Sequence, residues 1–100
     1  MLVYLKNEDF NHEIASGTVV IDFYADWCGP CQMLSPIIEE LASERSGAKF
    51  IKVNVDEHQD LAKKYGVMSI PTILVFKDGN LSKTSVGLAS KDEIQSWIEE

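Results

Sequence analysis

Apolar and polar positions follow two rhythms along this chain. Short runs rich in β-branched and aromatic residues predict strands at Leu2–Leu5, Thr18–Ala25, Lys49–Val55, Thr72–Lys77 and Leu81–Val86. Between them, apolar residues recur three and four apart in polar surroundings, the rhythm of amphipathic helices. Asn7 stands where it can cap a first helix, with Glu8 and Asp9 in its first turn, Phe10 and Ile14 on its buried face and Gly17 at its end. A second helix is predicted from near Cys28 to about Arg45, with Leu34, Ile37, Ile38 and Leu41 on one face. Pro36 should kink its interior and Ser46-Gly47 should stop it. His58–Tyr65 predicts a short third helix closed by Gly66. Ser90-Lys91-Asp92-Glu93 is a capping box, opening a last helix that turns Ile94, Trp97 and Ile98 to the core.

The element order is therefore β-α-β-α-β-α-β-β-α. Alternation of this kind implies parallel strands joined by right-handed crossovers. Asp78-Gly79 marks a hairpin that adds antiparallel strands at the end. The run Thr18–Ala25 is apolar on both faces apart from Asp22, as in a central strand covered on both sides. The expected fold is α/β, a mixed five-stranded sheet with four helices on its two faces. At 100 residues without repeats or linkers, residues 1–100 are expected to form one domain.

Composition changes this picture only by exclusion. The 45% hydrophobic content is enough for a core, so the chain is not disordered. The formal charge of −7 repels phosphate backbones and anionic headgroups, which argues against nucleic acid and membrane partners. Apolar runs are too short to span a bilayer. The start, Met1-Leu2-Val3-Tyr4-Leu5-Lys6, has no basic segment followed by a long apolar one, so no secretory signal is read there.

The chain's two cysteines sit in one Cys-x-x-Cys, within Trp27-Cys28-Gly29-Pro30-Cys31, between the buried strand and the second helix. Cysteines three apart on a first helical turn share a face and reach bonding range. The helix N-terminus offers unpaired N–H groups and the positive end of the dipole, which favour a thiolate on Cys28. Cys28, nearer the loop, is expected to be exposed, low in pKa and the nucleophile. Cys31, one turn in, is expected to be more buried and to resolve. Pro30 suits an early helical position, where its missing N–H has no partner to lose. A zinc site needs two more ligands, and the remaining candidates, His12 and His58, lie on separate helices without partner spacing. No metal is expected, and both histidines read as surface residues.

Several further segments, in order, make the sequence resemble the thioredoxin family over essentially its whole length. They are Val20 to Cys31 (VIDFYADWCGPC), Lys52-Val53-Asn54-Val55-Asp56, Tyr65 to Thr72 (YGVMSIPT), Phe76-Lys77-Asp78-Gly79 and Val86-Gly87. The resemblance implies a sheet order of 1-3-2-4-5, with the fourth strand antiparallel to the third. It implies a cytoplasmic, monomeric protein-disulfide reductase and dithiol electron carrier. Its only redox group would be the Cys28–Cys31 disulfide, with no added cofactor. Its partners would be a flavoprotein thioredoxin reductase and client proteins that carry disulfides.

Asp22 is surrounded by Val19, Val20, Ile21, Phe23 and Tyr24, so burial is expected, and a buried carboxyl has a raised pKa. The resemblance places it beneath Cys31, where it exchanges a proton with that thiol. Lys52, on the neighbouring strand with Phe50 and Asn54 on its face, is expected to share the site. X-Pro bonds in folded proteins are mostly trans, but the resemblance implies that Ile70-Pro71 is cis and lies against the disulfide. Ile70 would then offer its backbone to an extended substrate. Trp27, Gly29, Pro30, Ile70, Gly87 and Leu88 would frame the contact surface.

The chain departs from the family pattern in three places. Gln32 replaces a common Lys, Tyr24 a common Trp, and Asp26 adds a negative charge, changes expected to raise the nucleophile's pKa somewhat and to bear on partner preference more than on the reaction. A rival reading, a redox-silent binding module on the same fold, has no chemical use for the two cysteines, Asp22 and Pro71 together. A third, an oxidase or isomerase, fits poorly with Gly-Pro between the cysteines.

Overall fold

Period-two alternation on the central strands divides their side chains between two cores, one on each face of the sheet. The fold is described from a computed structural model covering residues 1–44 and 47–100. Its elements are β1 (Leu2–Tyr4), α1 (Phe10–Glu13), β2 (Thr18–Tyr24), α2 (Gly29–Ser43), β3 (Ala48–Asn54), α3 (Gln59–Lys64), β4 (Thr72–Lys77), β5 (Asn80–Val86) and α4 (Lys91–Glu99). The strands form one sheet in the order β1-β3-β2-β4-β5. β1 and β2 flank β3 in parallel, β4 runs antiparallel to β2, and β5 antiparallel to β4. This is the expected mixed sheet.

Val19, Ile21 and Phe23 of β2 join Ile51 and Val53 of β3 in a core closed by Phe10, Ile14 and Ala62. On the other face, Val20, Phe50, Ile73 and Val75 meet Leu34, Ile38 and Leu41 of α2 and Ile94, Trp97 and Ile98 of α4. Each fully buried aliphatic side chain here contributes roughly 1.5–3 kcal/mol. Asp22 belongs to the second face and, among the described residues, is the one buried acid.

Two local rules operate as the sequence predicts. The Ser90 hydroxyl accepts from the Glu93 N–H at 3.1 Å, and the Glu93 carboxylate accepts from the Ser90 N–H at 3.0 Å. Asp78 and Gly79 both take positive φ, 52° and 85°, which lets a two-residue loop join Lys77 to Asn80.

The first helix differs from expectation. Asp9, not Asn7, is the cap, its carboxylate accepting from the Asn11 N–H at 3.0 Å. Glu8 lies ahead of the helix and instead accepts from the Lys6 N–H. The helix is a single turn, with Ile14 as its C-cap, and Phe10 and Ile14 are buried as expected. Gly17 does not end it; its N–H donates to the Asp78 carboxylate and its carbonyl accepts from the Asp78 N–H, tying the start of β2 to the hairpin. α2 ends at Ser43 with Glu44 as its cap. The expected end at Arg45 and stop at Ser46 lie outside the described residues. Pro36 is inside α2, so the Gln32 carbonyl lacks the usual N–H one turn on.

Candidate active site

The site forms where β2 and β3 end and β4 begins. β2 releases the chain at Tyr24, and Ala25, Asp26 and Trp27 turn it into α2. Cys28 is the N-cap, with extended backbone, and its Sγ accepts from the Cys31 N–H at 3.2 Å. Gly29 and Pro30 fill the first helical positions and are exposed. Cys28 and Cys31 are joined in a disulfide, with Cα atoms 5.3 Å apart.

Both cysteines are buried, at 5% and 3% exposure. The expected exposure of Cys28 is therefore corrected. Ala25 packs with the pair, and Tyr24, Val55 and Ile70 close over it. Of these, Ile70 comes from the loop before β4, and nothing in the local sequence around Cys28 announces it. The Ile70-Pro71 peptide is cis, and the Ile70 carbonyl oxygen stands 3.7 Å from Cys28 Sγ. The Gly87 N–H donates to the Pro71 carbonyl at 2.8 Å, which brings the end of β5 to the same edge. Gly87 has φ of +96°, a backbone other residues rarely adopt.

Around this edge Trp27 is 71% and Leu88 48% exposed. The Trp27 indole N–H donates to Asp56 at 2.9 Å, and the Asp56 N–H is in turn held by the Asn54 side chain at 2.9 Å. Trp27 is thus a fixed plate beside the disulfide. Trp27, Cys28, Ile70, Pro71, Gly87 and Leu88 are brought to one end of the sheet.

Asp22 and Lys52 lie elsewhere, below this edge on the face covered by α2. They are paired in register across β2 and β3, and Tyr4 of β1 continues the same row. Asp22 is 1% exposed, and neither carboxylate oxygen has a hydrogen-bond partner among the described residues. Lys52 Nζ is 3.9 Å from Oδ2, close enough for attraction but too far for a hydrogen bond. Burial pushes the Asp22 carboxyl up to about 6, and the Lys52 charge opposes part of that rise. A cavity of about 310 Å³ lies between α2 and the strands, lined by Cys31, Ser35, Lys52, Tyr24, Tyr4 and other residues.

Ser35 and Tyr4 belong to the site without any sequence motif that marks them, and Asp56 stands out in the sequence only as the end of the Lys52–Asp56 segment. The spacing from Cys31 to Ser35, one helical turn, was a usable signal. His58 is corrected as well: half-buried, it caps α3 and its ring donates to the Leu5 carbonyl at 2.9 Å. His12 is exposed on α1. Among the described residues no three His, Cys, Asp or Glu side chains are grouped to hold a metal. No helix among them is long and apolar enough to cross a membrane.

A profile of the thioredoxin family matches residues 1–100. The chain belongs to the thioredoxin family. A thioredoxin of Bacillus subtilis is 47% identical over 98 residues, covering 97% of this chain and 94% of that one. A thioredoxin of Chlamydia caviae is 49% identical over 94 residues, covering 94% and 92%. The solved structure of a mutant thioredoxin from Halobacterium salinarum superposes with a TM-score of 0.91 at 42% identity, covering 98% of this chain and 88% of that one. The chain is a thiol–disulfide oxidoreductase that reduces disulfides by dithiol–disulfide exchange through Cys28 and Cys31. In this family the cysteine pair is itself the redox group. Disulfide-bearing proteins and a thioredoxin reductase are the general partners of thioredoxins.

Proposed function

We propose that residues 1–100 act as a single thioredoxin domain, monomeric and cytoplasmic, in which Cys28 attacks client disulfides and Cys31 resolves. The observation that carries this order is the N-cap placement of Cys28, with its sulfur accepting the Cys31 N–H. That N–H and the dipole of a fifteen-residue helix both favour negative charge on this sulfur.

The Cys28 thiolate attacks one sulfur of a client disulfide. That S–S bond breaks, a mixed disulfide forms, and the first client sulfur leaves as a thiolate that takes up a proton. Cys31 then gives its proton towards Asp22, and its thiolate attacks the Cys28 sulfur. The mixed disulfide breaks, the second client sulfur leaves and is protonated, and the Cys28–Cys31 disulfide closes. Two electrons and two protons have passed to the client. A flavoprotein reductase reverses the change in this chain.

Asp22 suits the acceptor role because burial keeps its carboxyl basic near neutral pH. The cavity beside Cys31 has room for solvent, and it is lined by Lys52, whose ammonium is 3.9 Å from the Asp22 carboxyl. Lys52 limits how far the carboxyl rises. Trp27, Ile70, Gly87 and Leu88, with Gly29 and Pro30, form the docking edge, and cis-Pro71 turns the Ile70 carbonyl to the cysteines. A docked extended segment would use the Ile70 backbone as a short strand partner.

Insulin reduction followed by turbidity, with a small dithiol as electron source, tests the reading. Acceleration by the wild type and none by Cys28→Ser is expected. Equal behaviour of the two would leave only the redox-silent binding module.

A further inference from the structure

The ammonium of Lys52 is shared among several groups, and their distances show which one holds it. Nζ is 2.8 Å from the Ser35 hydroxyl oxygen, a hydrogen bond, and 3.9 Å from Asp22 Oδ2, which is not one. It also lies 4.6 Å from the centre of the Tyr24 ring and 5.4 Å from that of Tyr4, both within cation–π range. A buried carboxylate with no hydrogen-bond donor is the stronger attractor by charge. The ammonium nevertheless stays with a neutral hydroxyl. We propose that Ser35 is a positioning residue of the proton-transfer step, whose hydroxyl accepts from Lys52 and holds that ammonium off the Asp22 carboxyl.

The placement follows from the fold. Tyr4, Lys52 and Asp22 form one row across β1, β3 and β2, and Tyr24 is two residues beyond Asp22 on the same face. Ser35 is one turn from Cys31 on α2 and lines the same cavity. The hydroxyl therefore reaches Lys52 from the helix side while the carboxyl reaches it along the sheet. A direct hydrogen bond from Lys52 would stabilise ionised Asp22 and weaken it as a base for Cys31. With Ser35 holding Lys52, Asp22 receives only the attraction across 3.9 Å. The other ionisable groups facing this space are Asp26, beyond β2, and Cys31 of α2. β4 contributes apolar Ile73 in register with Asp22, and α4 packs the same core with apolar Ile94, Trp97 and Ile98.

The inference rests on the reading of Asp22 as proton acceptor, and its test separates the two. The Asp22 side-chain carbon is followed by NMR against pH in the oxidised full chain, where neither cysteine titrates. In Ser35→Ala the ammonium is free to close on Asp22, and the ionisation constant should rise about tenfold. Ser35→Thr keeps a hydroxyl and should return it to within about twofold of wild type. In a Lys52→Met background, Ser35→Ala should have no effect. An unchanged or lowered constant in Ser35→Ala overturns the proposal. So does a threonine that fails to restore it, or an effect that survives loss of Lys52. None of these readings needs turnover. The pH profile of mixed-disulfide resolution in the wild type tests Asp22 itself, so either idea can fail alone.

Discussion

Replacing Asp22 by asparagine removes a buried acid, and the size of the effect can be worked from its surroundings. The carboxyl titrates at about 6 in the folded chain against 3.8 for the exposed group. Because the folded value is raised, the folded chain binds the proton more tightly. Between the two values the unfolded chain holds fewer protons, so stability falls as pH rises through that window and levels off above about 6. The two values lie about two pH units apart, and at about 1.4 kcal/mol per unit the loss is about 3 kcal/mol. Asp22→Asn cannot lose it. Other carboxylates titrate alike in both proteins, so the difference between them isolates this group. Urea melts of the oxidised proteins at pH 3 and pH 8, followed by far-UV circular dichroism, should show the variant gaining about 3 kcal/mol relative to wild type across that range. The absolute gain at pH 8 is smaller than this change, because Lys52 loses the charge it faces. Parallel pH profiles for the two proteins would refute the reasoning, since they would mean that Asp22 pays no desolvation cost.

Cys31→Ser should accumulate mixed disulfides with client proteins, visible by mass spectrometry, while Cys28→Ser should not; accumulation on Cys28→Ser reverses the assignment. Trp27→Ala should slow reduction of a protein disulfide about tenfold, the loss of one good aromatic contact, and leave reduction of a small disulfide reagent within about twofold. Equal losses for both would mean that Trp27 serves the chemistry rather than docking. Ser90→Ala removes half of the capping box of α4 and should cost about 1 kcal/mol, read as a lower urea midpoint at unchanged slope. An unaltered midpoint would show that packing of Ile94, Trp97 and Ile98 alone fixes that helix.

Much of the architecture was legible in one dimension because its signals are local. The Thr18–Tyr24 run is apolar on both faces and so had to be central, and in the fold both of its faces are buried. Ser90 and Glu93 announced the start of α4, and Asp78-Gly79 the hairpin, because each pattern satisfies its own backbone groups. The start of α1 was misplaced for the same reason in reverse. Asn7 and Asp9 both have the chemistry of a cap, and only the folded backbone, with Glu8 held on the Lys6 N–H ahead of the helix, chooses between them. The cysteine pair and its helix were also legible, down to Pro30 in the first turn.

What the sequence determined by itself is the set of elements, the strand that lies at the centre, and the pair of sulfurs that exchange. Each depends on neighbours a few residues away, where periodicity and caps operate. Tertiary structure alone decided what surrounds those sulfurs. Ile70 covers Cys28 from forty-two residues away, which buries a thiol that its loop position would leave open. Strand register sets Lys52 beside Asp22 and Tyr4 beside Lys52, and the turn of α2 sets Ser35 over them. A register is a relation between segments distant in the chain, fixed by how two cores pack at once. No local pattern encodes it, so the electrostatics of Asp22 exist only in the folded sheet.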